Sequence, residues 1–201
     1  MRDPLDRYYT PEPLAKTLVH WTHETIAQEP PDFVLEPCAG DGVFGRMAMQ
    51  VFSTPCAVRG CDVDPDATPG YPWDQVSVEA WRPQTEGNTW ILTNPHYTGV
   101  YETISRLRNL QNRTQARLLG LLLRATTIEQ MMNLGDPPHI LAVSDIRPRW
   151  RGPGGALHPS GDTCGSVWCI WTSMNKITSG SNLHGLPHWR EKRSRKNKEI
   201  T

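Results

Sequence analysis

The chain has 201 residues, with 21 Lys/Arg against 21 Asp/Glu, and five cysteines. That length suits one domain of normal core size, and the neutral total excludes a uniformly basic or acidic binding protein. Cys38, Cys56, Cys61, Cys164 and Cys169 are odd in number and form no Cys-x-x-Cys, which argues against a disulfide framework and against zinc.

The longest aliphatic-and-glycine run, Leu118 to Leu123, is too short to cross a bilayer. Arg2, Asp3, Asp6 and Arg7 break any signal-peptide core, so a soluble, cytoplasmic protein is expected. Charge is unevenly spread. Residues 1–100 carry 14 Asp/Glu against 6 Lys/Arg, and residues 101–201 carry 7 against 15, so the second half is suited to an anionic partner.

Thr10 before Pro11 fits an N-cap with proline at the first helical position. Leu14, Leu18, Trp21, Thr25 and Ile26 then recur at helical spacing, predicting a helix over about 11–27 that ends before Pro30-Pro31. Phe33-Val34-Leu35 reads as a buried strand, Glu36 to Gly42 as a turn, and Val43, Phe44, Met47, Ala48, Val51 and Phe52 as the apolar face of a helix. A strand over 57–61 runs into Asp62-Val63-Asp64-Pro65, a Pro/Gly-rich loop follows over 66–74, and Val76-Ser77-Val78 is a weaker third strand. The apolar run Thr89 to Thr93 is the fourth strand, and it stops at Asn94-Pro95-His96-Tyr97.

Val100, Ile104, Leu107 and Leu110 predict a helix, 116–123 a central fifth strand, 140–143 a sixth and 167–171 a seventh. Residues 146–165 form a loop rich in Pro, Gly and Arg. The chain over 176–201 is polar and basic, and is expected to be disordered. Alternating strands and helices argue for a mostly parallel α/β sheet in a single domain spanning 1–175.

Two places carry chemistry. The turn Glu36-Pro37-Cys38-Ala39-Gly40-Asp41-Gly42 lies between strand and helix, where Gly40 and Gly42 permit close backbone approach to a ligand. The next strand ends in Asp62, placed to accept hydrogen bonds from ribose hydroxyls, so the pair points to an adenosine-containing cofactor. At the end of the fourth strand, the Asn94 side-chain oxygen and the Pro95 carbonyl can each accept an N–H from an amino group on a ring. Tyr97 offers a surface for that ring to stack on.

The order Tyr9-Thr10-Pro11, Glu36 to Gly42, Asp62-Val63-Asp64-Pro65, then Asn94-Pro95-His96-Tyr97 resembles the amino-group DNA methyltransferases. It is most similar to the N6-adenine enzymes whose cofactor motif precedes the catalytic motif, including the small ones common in phages and prophages. The resemblance covers about residues 8–125 by motif. It implies a Rossmann-like class I methyltransferase fold, with a mostly parallel seven-stranded sheet, helices on both faces and an antiparallel C-terminal hairpin.

It further implies S-adenosylmethionine as cofactor, held by Tyr9, Thr10, Pro11, Glu36, Pro37, Cys38, Ala39, Gly40, Gly42, Asp62, Val63, Glu79 and Asn94. Asn94, Pro95 and Tyr97 take the catalytic roles on a flipped adenine in DNA, with no metal, in a monomer or weak homodimer. His96 stands where the family has proline and is read with Arg147, Arg149, Trp150 and Arg151 as a DNA contact, the arginines on phosphates and Trp150 as a stacking wedge. The same grip serves amino groups in RNA and glutamine side chains in proteins. A binding module that has lost its chemistry is the remaining alternative.

Overall fold

A computed structural model describes residues 8–132, 137–143, 150–152, 165–173 and 182–185. Strands β1 (Phe33–Pro37), β2 (Ala57–Asp62), β3 (Trp73–Gln75), β4 (Thr89–Thr93), β5 (Leu118–Arg124), β6 (Ile140–Val143), β7 (Ser166–Thr172) and β8 (Asn182–Gly185) form one sheet. Their order is β3-β2-β1-β4-β5-β7-β6-β8. The first five in space are mutually parallel, β7 is antiparallel to both β5 and β6, and β8 pairs parallel with β6.

Alternation along the strands explains how both faces are covered. Val34, Trp90, Leu92, Leu118, Leu122, Trp168 and Ile170 point to one side and pack on α1 (Glu12–Thr22) and α2 (Val43–Val51). Leu35, Ile91, Leu119, Leu121, Leu123, Cys169 and Trp171 point to the other, under α3 (Val100–Thr114). Strands buried on two faces read as unbroken apolar runs, which is why β4 and β5 are plain in the sequence. Trp168 and Trp171 are core residues, as their strand predicts; the Trp168 indole donates to Thr22 Oγ1 at 3.0 Å and stacks on Phe44.

The sequence reading needs four corrections. The sheet has eight strands, because Asn182–Gly185 pairs with β6 inside the segment expected to be disordered. The third strand lies at Trp73–Gln75, and residues 76–81 form a turn whose Trp81 indole donates to Asp74 Oδ2 at 2.8 Å. The first helix ends at Thr22 and continues as a π-helical turn, His23–Ala27, which Gln28 closes in a left-handed conformation. Finally, β5 passes directly into a helix, α4 (Ala125–Met132), with no breaker between them.

The strand order reverses between β1 and β4, which lie side by side with Leu35 paired to Ile91. Ligands in open α/β sheets bind at the carboxyl edge of such a reversal. The glycine turn leaves β1 at that edge, and Asn94 leaves β4 beside it.

Candidate active site

A cavity opens at this edge, where small-molecule sites of such sheets lie. Of the thirteen residues expected to hold a cofactor, Tyr9, Thr10, Glu36, Cys38, Ala39, Gly40, Asp62, Val63, Glu79 and Asn94 line it. Pro11, Pro37 and Gly42 do not. Pro11 caps the N-terminus of α1, so that helix begins one residue later than expected and Thr10 is not its N-cap. The Thr10 hydroxyl is instead buried in the cavity wall with no hydrogen-bond partner. Pro37 ends β1, and its carbonyl accepts from the Thr93 hydroxyl.

The two glycines of the turn serve different neighbours. Both have positive φ, at 51° for Gly40 and 72° for Gly42. A Cβ on Gly40 would lie 2.9 Å from the Tyr9 ring, so its bareness lets the N-terminal segment close over the turn. A Cβ on Gly42 would lie 2.4 Å from the Pro69 carbonyl oxygen. Gly42 thus admits the strap over 67–72, whose Thr68 N–H donates to the Gly40 carbonyl, rather than a ligand.

Asp62 binds the turn from the neighbouring strand. One carboxylate oxygen accepts from the Gly40 N–H at 2.8 Å, the other from the Asp64 N–H at 2.9 Å. A carboxylate has about four lone-pair sites, so capacity for two ribose hydroxyls remains. Next to it Val63 is 58 % exposed, an apolar surface against which an adenine ring can lie.

Glu36 is fully enclosed beneath the turn. Its oxygens accept from the N–H groups of Phe44 at 3.0 Å and Gly45 at 2.6 Å, and from the Tyr71 hydroxyl. Burial nevertheless outweighs these donors and pushes the carboxyl up to about 8. The folded chain therefore holds a proton that the unfolded chain releases near ~4.3. Bound protons then favour folding, and stability is lost as pH rises between those two values. Thermal melts across that range are expected to show Tm falling with pH, and Glu36→Gln to flatten the slope.

With Glu36 neutral, four acids (Asp41, Asp62, Asp64 and Glu79) line the cavity against one arginine, Arg106. Such a lining favours a ligand of positive charge and disfavours phosphorylated nucleotides. Arg106 itself is ion-paired with Glu79 at the mouth. Cys38 adopts a left-handed conformation with φ 54°, and burial raises its thiol to about 12, so it stays a neutral wall residue. Among the described residues no group of three or more His, Cys, Asp or Glu is placed to hold a metal ion.

Asn94 is held by its amide. Its Nδ2 donates to the Tyr8 carbonyl at 2.9 Å, and its Oδ1 accepts from the Tyr97 hydroxyl at 2.9 Å. Tyr8 is bound to this spot because Tyr9 forms a two-way backbone bridge with Arg151, at 2.8 and 3.1 Å. Pro95 is buried behind them. The Tyr97 ring lies 6.3 Å from that of Trp150 and has the Arg124 guanidinium over it, 4.4 Å from its centre.

Of the residues expected to contact DNA, His96 lies on the cavity wall and Trp150 in the core. His96 lines the cavity, with Nε2 3.0 Å from the Thr103 hydroxyl, a side-chain tie to α3 in the position of a stiffening proline. Trp150 is 2 % exposed and belongs to the core beside Tyr97, so it does not stand out as a stacking wedge. Arg151 contributes its backbone to the Tyr9 bridge, while Arg147 and Arg149 lie outside the described residues. Sequence reading missed Tyr8, Thr103, Arg106 and Arg124. The spacing that sets Val100, Ile104 and Leu107 in the core could have placed Thr103 on an adjoining face, but Tyr8 and Arg124 act across long sequence separations.

Solved structures share this architecture. A candidate class I S-adenosylmethionine-dependent methyltransferase of Listeria monocytogenes superposes with a TM-score of 0.61 at 9% identity, over 92% of this chain and 67% of its own. The methyltransferase subunit of a type I restriction-modification system from Streptococcus thermophilus gives 0.58 at 11%, over 84% and 46%. A candidate RNA methyltransferase of Pyrococcus horikoshii gives 0.55 at 13%, over 84% and 87%.

The fold is that of a class I methyltransferase.

No family model matches the chain, and no curated protein matches its sequence. The chain spans under half of the Streptococcus subunit, so the class I methyltransferase core is what the two have in common. In this core β8 is an addition beyond the seven strands expected of the fold.

Proposed function

We propose that this chain transfers the methyl group of S-adenosylmethionine to the N6 amino group of adenine in DNA. The observation that carries the reading is the Asn94 amide, fixed at the end of β4 by the Tyr8 carbonyl, on the wall of the cavity that Asp62 and Val63 also line.

The residues present fit the cofactor. Asp62 offers acceptors for ribose, Val63 an apolar surface for adenine, and the orphaned Thr10 hydroxyl a polar contact within the wall. The acidic lining suits a ligand bearing a sulfonium and an ammonium group. When bound, that ligand supplies an electrophilic methyl group.

The chain's own task is to prepare the amine. An aromatic amino nitrogen is a poor nucleophile, because its lone pair is delocalised into the ring. The Asn94 Oδ1 and the Pro95 carbonyl are the two acceptors for its N–H groups, and bonds to both favour a pyramidal nitrogen whose lone pair is localised. Fixed dipoles of this kind act where charge develops, without reorganisation at the moment of reaction. Tyr97 supplies the stacking surface, worth ~1–3 kcal/mol per base, and the base must leave a duplex to reach it.

The basic second half, 15 Lys/Arg against 7 Asp/Glu, supplies sequence-independent attraction to phosphates. The proposed specificity is short or relaxed. The domain is proposed to span 1–175 and to act as a monomer or weak homodimer.

RNA is the second reading. Of the three neighbours, the one described as a candidate RNA methyltransferase is matched over 87% of its length. Incubation with labelled S-adenosylmethionine and either DNA or RNA, followed by nucleoside analysis, separates the two. N6-methyldeoxyadenosine is the expected product. Label confined to RNA selects the second reading, and label in neither polymer overturns both.

A further inference from the structure

We infer that Arg124 is a specificity-determining residue that closes Tyr97 to free nucleosides and yields it only to a base delivered on a polynucleotide. The inference rests on the proposed function, since it takes Tyr97 as the platform for the target base.

Arg124 is the last residue of β5, the strand next to β4, and the pairing of Thr93 with Leu121 brings both strand ends to the same edge. Its guanidinium carbon lies 4.4 Å from the centre of the Tyr97 ring. A guanidinium is planar and covers an aromatic face much as a base does, so cation and base are alternatives for that face.

Tyr97 is not at liberty to turn the face elsewhere. Its hydroxyl donates to Asn94 Oδ1 at 2.9 Å, and the buried Trp150 flanks the ring at 6.3 Å with a 60° tilt. The hydroxyl also contacts the very oxygen that the target amine needs. One ring face and the acceptor are therefore both engaged within the chain, and a base that takes this face must displace Arg124 before it can be gripped.

A free nucleoside brings only its own stacking to that exchange. A base on a polymer also brings phosphates, which the basic second half attracts and which offer the displaced guanidinium an anionic partner. Arg124 thus sorts substrates by what accompanies the adenine, which suits an enzyme working among abundant free adenine compounds.

The test uses 2-aminopurine riboside, a neutral fluorescent adenine analogue quenched by stacking, with S-adenosylhomocysteine present. Arg124→Met, which keeps the length and loses the cation, is expected to bind the riboside about 2- to 30-fold more tightly than the unaltered chain. Tyr97→Ala added to it is expected to erase the gain. Arg124→Lys, which keeps the charge without the plane, is expected to fall between and serves if the methionine variant is poorly folded. Binding of S-adenosylhomocysteine, unchanged within about twofold, reports an intact cavity, since Arg124 is not among its lining residues.

Equal or weaker riboside binding by both Arg124 variants overturns the inference while leaving the adenine reading in place. If no form quenches the riboside although all bind S-adenosylhomocysteine, Tyr97 is no base platform, and the proposed function falls together with the inference.

Discussion

Asn94→Ala is expected to lower methyl-transfer turnover by about 10²–10³-fold, the usual loss for one preorganised polar group aimed at developing charge. The substitution removes the Oδ1 acceptor proposed for the target amine and releases both ties that hold it, to the Tyr8 carbonyl and the Tyr97 hydroxyl. The proposed ribose and adenine contacts, Asp62 and Val63, are left in place, so the loss of cofactor affinity is expected to stay below about tenfold, or 1.4 kcal/mol. Single-turnover rates with saturating cofactor, set beside equilibrium binding of S-adenosylhomocysteine, check the split. Near-normal turnover in the variant would place the chemistry elsewhere.

Asp62→Ala is expected to act on the other half of the site. Two ribose hydroxyls bonded to a carboxylate each contribute roughly 1.5–3 kcal/mol, so their loss corresponds to cofactor binding weakened at least about 100-fold. Because Asp62 also accepts from the Gly40 and Asp64 N–H groups, the alanine variant loosens the turn as well. Asp62→Asn separates the effects. Its remaining oxygen accepts from one of those N–H groups, its amide donates where the ribose needs an acceptor, and so it is expected to retain stability better than affinity. Calorimetric titration and thermal melts on both variants test this; a cofactor affinity unchanged in either would remove Asp62 from the site.

Much of this was legible in the chain because strong local signals agreed. The apolar run into Asn94 could only be a buried strand, and the glycine turn with Asp62 after the next strand marks an adenosine site through the spacing of one βαβ unit. Other elements were hidden for physical reasons. Helix α4 follows β5 without proline, glycine or a capping residue, so periodicity alone cannot divide them. Strand β8 is four residues long in a polar stretch, and its partner β6 is supplied from forty residues earlier in the fold. The burial of Trp150 and the inward turn of His96 are set by the Tyr9 bridge and by Thr103, contacts that no local pattern encodes.

One hydrogen bond reaches further than its length suggests. An asparagine side chain has an oxygen end and a nitrogen end of nearly equal size, and only its surroundings decide which faces the work. Here the Tyr8 carbonyl, 86 residues away in sequence, claims the nitrogen end of Asn94. That leaves the oxygen end for an amine. Without the carbonyl the amide could rotate and present N–H to N–H, turning the grip into a repulsion while every residue of Asn94 to Tyr97 stayed in place. The Tyr8–Tyr9 segment thus sets the electrical sense of the site, and loss of the Tyr8 carbonyl would free the amide to turn.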